Sequence, residues 1–372
     1  MTNAARPKRT KVARRAATAS SADPSGRGGA TKRPRRSTPP PHAQMLALLT
    51  GHWVAQMLFA FVKLGLPDRL GTKALAPDDL ADALGANAGH LRRLLRALAS
   101  CGVVEEGARG RFRLTPLGRT LRSGPGSLRD FALMIVAPYN TRAWEKLADA
   151  VTLGRPGFDL AFGRPVFEYL AAHPDDDRQF SASMASISAG ESDAIARAYP
   201  WRRHARIVDV GGAHGHLLAA ILRRHPRVRG VLYDQPQVVA GAEASGFLGE
   251  PRLRERSEIR GGSFFEAVPT GADAYFMKYI LHDWDDPRAE RILALCRDAM
   301  APGGRVLVID RVIAAGNAPD WSKWLDINMM VGPGGLERTR AEFQALFART
   351  GLRLVKVHAT KSPLSILEAE RG

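Results

Sequence analysis

The chain opens its ordered pattern on an apolar run. "MLALLTGHWVAQMLFAFVKLGL", from Met45 to about Leu70, is apolar nearly all round at helical spacing. Such a pattern predicts a helix buried on more than one face. A helix of this kind near a terminus is hard to bury within one chain, so it points to a dimer interface. Residues 76–121 then read helix, turn, helix and wing. Pro77 opens a helix with Asp78 and Asp79 in its first turn, where acids suit the helix dipole. It ends near Gly85. A second helix starts about Asn87 with Leu91, Leu94, Leu95 and Leu98 on one face, and "GVVEEG" with "GRFRLTP" forms a two-stranded wing. Two uses fit this module: DNA binding through Arg92, Arg93 and Arg96, or dimerisation. Residues 122–200 are mostly helical and rich in aromatic side chains, which serve either a core or a pocket. From Arg206 the period changes. Short apolar runs alternate with amphipathic ones: "ARIVDVGG", "VRGVLYD", "ADAYFMKY", "RVLVIDRVI" and "LRLVKVHAT" as strands, with helices between them. That alternation predicts an α/β fold, a mostly parallel sheet with helices on both faces.

Composition narrows this picture. With 372 residues and 45% hydrophobic content the chain is long enough for about two domains with a real core. The longest apolar run is too short for a bilayer, and no secretory signal is visible, which leaves a cytoplasmic protein as the expectation. Cys101 and Cys296 form no spaced pattern, so neither a disulfide framework nor a cysteine zinc site is expected. The net charge of +17 resembles a nucleic-acid signature, but residues 1–44 hold eleven basic residues against the single acid Asp23. Residues 1–41 therefore form a basic, disordered tail. An electrostatic arm or a transit peptide fits it, and a solvated tail without a specific partner is the plainer account.

Two stretches carry candidate chemistry. "VDVGGAHGHL", residues 208–217, is a Gly-rich turn between the first strand and first helix. Gly211 and Gly212 let a ligand pass close to the backbone, though the spacing is not that of a dinucleotide fold. Asp234 ends the second strand, where a carboxylate can accept both hydroxyls of a ribose or else cap the next helix. The second stretch is "ILHDWDDP", residues 280–287. His282 sits at the carboxyl end of a strand, where ligands bind in such sheets. Asp286 and Pro287 read as an N-cap and first helical residue, with Asp285 in the same turn. No second ligand cluster accompanies these acids, so no metal is expected.

The segments "VDVGGAHGHLLAAIL", "LYDQP", "GGSFFEAVP", "FMKYILHDWDD", "APGGRVLVID" and "LDINMMVGPGGLERTRAEF" occur in this order. The series resembles the S-adenosylmethionine-dependent O-methyltransferases of the plant caffeate type and their bacterial relatives, over roughly residues 42–368. The resemblance implies a Rossmann-like catalytic domain over 201–372, a winged-helix dimerisation domain over 42–125 that binds no DNA, and a substrate-lining helical region over 126–200. It implies cofactor contacts from Gly211, Asp234, Ser263, Phe264 and Lys278, with Ser263 standing where the family usually has Asp. It implies His282 as the base that deprotonates an acceptor hydroxyl, flanked by Asp310 and Glu337, and an acceptor pocket touching Asn328 and Met329. Asp310 replaces the Glu of many plant members. The reading that follows is a homodimeric O-methyltransferase of a small phenolic, enolic or polyketide-like metabolite. N-methylation, altered chemistry on the same scaffold and a DNA-binding regulator stand as alternatives.

Overall fold

The N-terminal apolar run does not form one buried helix. In the computed structural model, which describes residues 39–71, 73–124 and 126–372, it breaks into helices Pro41–Leu49, Gly51–Lys63 and Leu66–Leu70. Gly65, at φ 67°, is left-handed and Pro67 opens the third helix, which turns the chain. Nothing in Pro41–Leu49 is buried, and in Gly51–Lys63 only Phe61 and Val62 are. Met45, Leu48, Leu49 and Trp53 each expose more than half their surface. The expectation of one continuous helix is thus corrected to three shorter ones; an apolar pattern records the need for a cover and not which chain supplies it. The basic tail lies, to residue 38, outside the described residues. Pro41–Leu49 stands as one unit and residues 50–372 as another.

The helix–turn–helix and wing form as the pattern predicts. Gly85, left-handed, ends helix Pro77–Leu84, and the Asn87 side chain accepts from the His90 N–H to start helix Ala88–Ser100. The wing pairs β1 (Val104–Glu106) with β2 (Phe112–Leu114) in antiparallel register. Phe61, Leu66, Leu70, Leu91, Leu95 and Phe112 share its core. Arg92 faces Asp78 at 3.4 Å. A series of short helices follows, then the 25-residue helix Pro174–Ala198.

The sheet holds β3 (Arg206–Val210), β4 (Arg229–Asp234), β5 (Ser257–Gly261), β6 (Ala274–Lys278) and β7 (Arg305–Asp310), all parallel to one another. A small pair, β8 (Val312–Ile313) and β9 (Arg338–Thr339), lies beyond β7. The last strands are β10 (Leu352–Ala359) and β11 (Ser365–Arg371). The order is β10-β11-β7-β6-β3-β4-β5, so the C-terminal strand inserts antiparallel between β7 and β10. β5 was not foreseen. "SEIRG" is a partly exposed edge strand with charged Glu258 and Arg260, and carries no apolar run. The central strands are buried on both faces, between a core containing Val208, Tyr275 and Val306 and a second containing Ile207, Phe276 and Leu307.

The helix after β6 starts one residue earlier than read from sequence. Asp285, not Asp286, is the N-cap, accepting from the Arg288 N–H at 3.1 Å. This frees Asp286 to bind Arg338 at 2.8 Å and Arg349 at 2.6 Å. Among the described residues no single helix is long and apolar enough to cross a membrane, and no group of three or more His, Cys, Asp or Glu is placed to hold a metal.

Candidate active site

Four strand ends build the site. β3 runs into the Gly-rich turn, where Gly211 sits at φ 71° and Ala213 at φ 48°. A Cβ on Gly211 would collide with Ile280 and meet Phe264 at 3.5 Å, and one on Gly212 would lie 2.5 Å from Asp209 Cγ. These positions accept no side chain, so the turn presents bare backbone. Asp234, at the end of β4, accepts from the Ala213 N–H at 2.8 Å and the Gln235 N–H at 2.7 Å. Each oxygen keeps a spare lone pair for a diol. Asp209 is buried beneath the turn with Oδ2 unpartnered among protein atoms, and burial pushes its carboxyl up to about 8. Ser263 Oγ accepts from the Phe265 N–H at 3.3 Å. The structure brings Gly211, Phe264 and Ile280 together. A bare turn, a strand-end carboxylate and an orphaned buried acid fit a nucleoside with a polar arm.

β6 carries the chain into the turn that holds His282. Lys278 ends the strand with its ammonium 3.5 Å from Glu191 Oε2, on the helix Pro174–Ala198. Both groups are largely buried. Burial pulls the Lys278 ammonium down, and the Glu191 carboxylate counters it. Tyr279 follows at φ 57°. For an aromatic residue this left-handed backbone costs on the order of 1–3 kcal/mol. Its N–H donates to Asp310 Oδ1 at 3.1 Å and to the Ile309 carbonyl at 3.2 Å, and its hydroxyl donates to Glu191 Oε1 at 2.8 Å. Its ring stacks on the His282 imidazole with centroids 5.1 Å apart.

His282 is buried in a short 3-10 turn, Leu281–Asp283. Its Nδ1 lies 2.7 Å from Glu337 Oε1 and its Nε2 3.5 Å from Asp283 Oδ1. Glu337 is held in turn by its own N–H, which donates to Asp326 Oδ1 at 2.9 Å. Asp310, fully buried on β7, has no hydrogen bond to the imidazole: Oδ1 takes the Tyr279 N–H and Oδ2 is unpartnered. It acts on His282 through charge alone. Burial would depress the imidazole, yet Asp283, Glu337 and Asp310 outweigh it and raise His282 to about 9. Burial raises Asp283 and Asp310 above the usual carboxylate range.

Two contacts fix this turn from outside. The buried Arg338 guanidinium donates to the carbonyls of Leu281 and Trp284 at 3.0 Å while pairing with Asp286. A Cβ on Gly335 would run into the carbonyl oxygen of His282. Asn328, expected at the acceptor pocket, accepts through Oδ1 from Trp144 Nε1 at 3.2 Å, and Met329 is buried beside it on the helix Trp321–Val331. Phe264, Phe265 and Trp284 stack edge-on nearby.

The sequence pointed to His282, Glu337 and the Gly-rich turn, but not to Asp209, Glu191 or Tyr279. Asp209 carries a readable sign, an acid inside the otherwise apolar strand "RIVDV". Glu191 carries none, being one polar position on a mixed helix.

Known proteins resemble this chain in sequence and fold. The family model for the O-methyltransferase domain matches residues 144–353, and that for the O-methyltransferase dimerisation domain matches residues 46–124. Phenazine O-methyltransferase of Lysobacter antibioticus is 40% identical over 341 residues, 91% of this chain and 99% of that protein. The 8-amino-8-demethylriboflavin N,N-dimethyltransferase of Streptomyces davaonensis is 38% identical over 320 residues, 85% and 91% of the two chains. The crystal structure of CalO1, a methyltransferase in calicheamicin biosynthesis, in its S-adenosylhomocysteine-bound form, superposes with a TM-score of 0.80 at 36% identity, over 90% of this chain and 100% of that one. With both family domains present in order, the chain belongs to the S-adenosylmethionine-dependent O-methyltransferases.

Proposed function

We propose that the protein methylates a phenolic or enolic hydroxyl of a small aromatic or polyketide-like metabolite, with His282 as general base. The observation that carries this reading is the 2.7 Å contact from His282 Nδ1 to Glu337. With Nδ1–H donating to that carboxylate, Nε2 is the nitrogen left for an acceptor proton. S-adenosylmethionine, when bound, supplies a methyl group already activated on sulfur. The protein's own tasks are alignment and proton removal. Gly211, Asp234, Ser263, Phe264 and Lys278 would hold the nucleoside and its arm. Trp144, Asn328 and Met329 would flank the acceptor, and Asp310 would add negative charge beside the imidazole. A phenol of pKa about 10 is within reach of such a base.

One observation favours a second reading. The three acids around His282 hold it protonated near neutral pH, and an imidazolium accepts no proton. An amine acceptor attacks through its own lone pair and needs less from a base. Relatives include the N,N-dimethyltransferase above and the phenazine-1-carboxylate N-methyltransferase of Pseudomonas aeruginosa. Incubation of the protein with S-adenosylmethionine and matched hydroxy- and amino-substituted aromatics, read by mass spectrometry, separates the two. Methyl gain on the hydroxy set supports the first reading; gain on the amino set alone contradicts it.

We propose further that the module over residues 42–125 pairs with a second copy of the chain. The matched dimerisation domain and the exposed Met45, Leu48, Leu49 and Trp53 support this. Light scattering at twice the chain mass of 40.4 kDa is the expected result, and the chain mass itself would contradict it.

A further inference from the structure

We propose that Glu191 receives the α-ammonium group of the cofactor's amino-acid end, and that Tyr279 is the residue that positions it. The inference rests on the cofactor site assigned above and adds to it two residues, Glu191 and Tyr279.

Glu191 and Lys278 are opposite charges, both largely buried, at 3.5 Å. A tight charge-assisted pair closes to about 2.7–2.9 Å. At the longer distance the attraction does little to offset the loss of water around either ion. Two opposite charges set side by side in this way match a zwitterion: a carboxylate toward Lys278 and an ammonium toward Glu191. The amino-acid arm of the cofactor is that group.

The placement agrees. β6, which ends at Lys278, lies next to β3, which feeds the Gly-rich turn. Ile280, two residues past Lys278, packs against Gly211. Lys278 also lies within electrostatic reach of Asp209 beneath that turn. Glu191 faces Lys278 from the helix Pro174–Ala198. The pair therefore stands beside the turn, on the side toward His282.

Tyr279 supplies the second, independent sign. Its left-handed backbone is held by two hydrogen bonds from its N–H, and the result of that conformation is a hydroxyl 2.8 Å from Glu191 Oε1. Donation to Oε1 fixes the carboxylate and leaves Oε2 directed at the Lys278 side. The same ring stacks on His282, so one residue orients both the arm-binding carboxylate and the base.

The test is calorimetric binding to the full-length protein of three ligands: S-adenosylhomocysteine, its deaminated analogue, and 5′-methylthioadenosine, which lacks the whole arm. Wild type should bind S-adenosylhomocysteine about 10–100-fold more tightly than the deaminated analogue, the range for a hydrogen bond to a charged group. In Glu191→Gln that gap should collapse, while affinity for 5′-methylthioadenosine stays at the wild-type value. Equal weakening of S-adenosylhomocysteine and its deaminated analogue, or no change in the gap, would overturn the proposal and leave Glu191 a structural ion-pair partner. Tyr279→Phe keeps the ring and removes only the hydroxyl; it should narrow the same gap by a few-fold. An unchanged gap there overturns the positioning role, and decides the matter if Glu191→Gln does not fold. Wild-type protein that takes up none of the three ligands would instead refute the cofactor site, and this inference with it.

Discussion

His282, proposed as the base, is set among acids, and on that proposal the balance between them fixes the pH at which it can work. Nδ1 is clamped by Glu337, Nε2 faces Asp283, and Asp310 adds charge from β7. The neighbouring groups from other elements are Tyr279, stacked on the ring, and Arg338, which holds the turn through its carbonyls. Three anions raise the imidazole to about 9, so only its neutral fraction serves as base and turnover should rise with pH across neutrality. Glu337→Gln removes one anion and keeps a hydrogen-bonding partner. It should move the ascending limb of kcat/KM toward lower pH, read on whatever turnover remains. A limb that stays in place would remove Glu337 from the account.

At the scale of elements, the site depends on how the turn after β6 is pinned. Arg338 is fully buried, and its partners include two carbonyls of that turn and Asp286. Arg338→Met leaves the carbonyls of Leu281 and Trp284 without their donor. We expect a loss of about 3 kcal/mol or more, seen as a lower urea midpoint, together with reduced turnover. Unchanged stability would mean that β9 does not hold the turn. Elements also show what could be read beforehand. β3, β4, β6 and β7 announce themselves, because strands buried on both faces are short apolar runs. β5 does not, since an edge strand is free to be polar. The one-residue error at Asp285 arises because two adjacent acids, Asp285 and Asp286, offer competing caps, and Pro287 is tolerated anywhere in the first turn. His282 and Glu337 were legible through short motifs at strand ends. Glu191 and Tyr279 were not: their contact joins residues 88 apart in sequence, and a left-handed tyrosine leaves no trace in composition.

Over the whole molecule, the sheet gathers the residues proposed to hold the cofactor at the ends of β3, β4 and β6, and His282 with its acids at the ends of β6 and β7 and before β9. The helix Pro174–Ala198 brings Glu191 to the same end. Trp53, on the first helix of residues 50–372, presents an open face, 60% exposed. Pairing of two copies would cover it. Trp53→Glu places a charge on that face and should shift the protein toward the chain mass in light scattering, with the catalytic domain still able to bind S-adenosylhomocysteine. A mass that does not change would place the interface elsewhere.

The imidazole of His282 is the group on which the proposed reaction depends. Turnover of wild type and His282→Ala on the best hydroxylated acceptor, with S-adenosylhomocysteine affinity measured in parallel, isolates it. The expected result is a fall of about 10²–10⁴-fold in turnover, the usual contribution of a general base, at unchanged affinity. Full turnover in His282→Ala would contradict the assignment of His282 as the base.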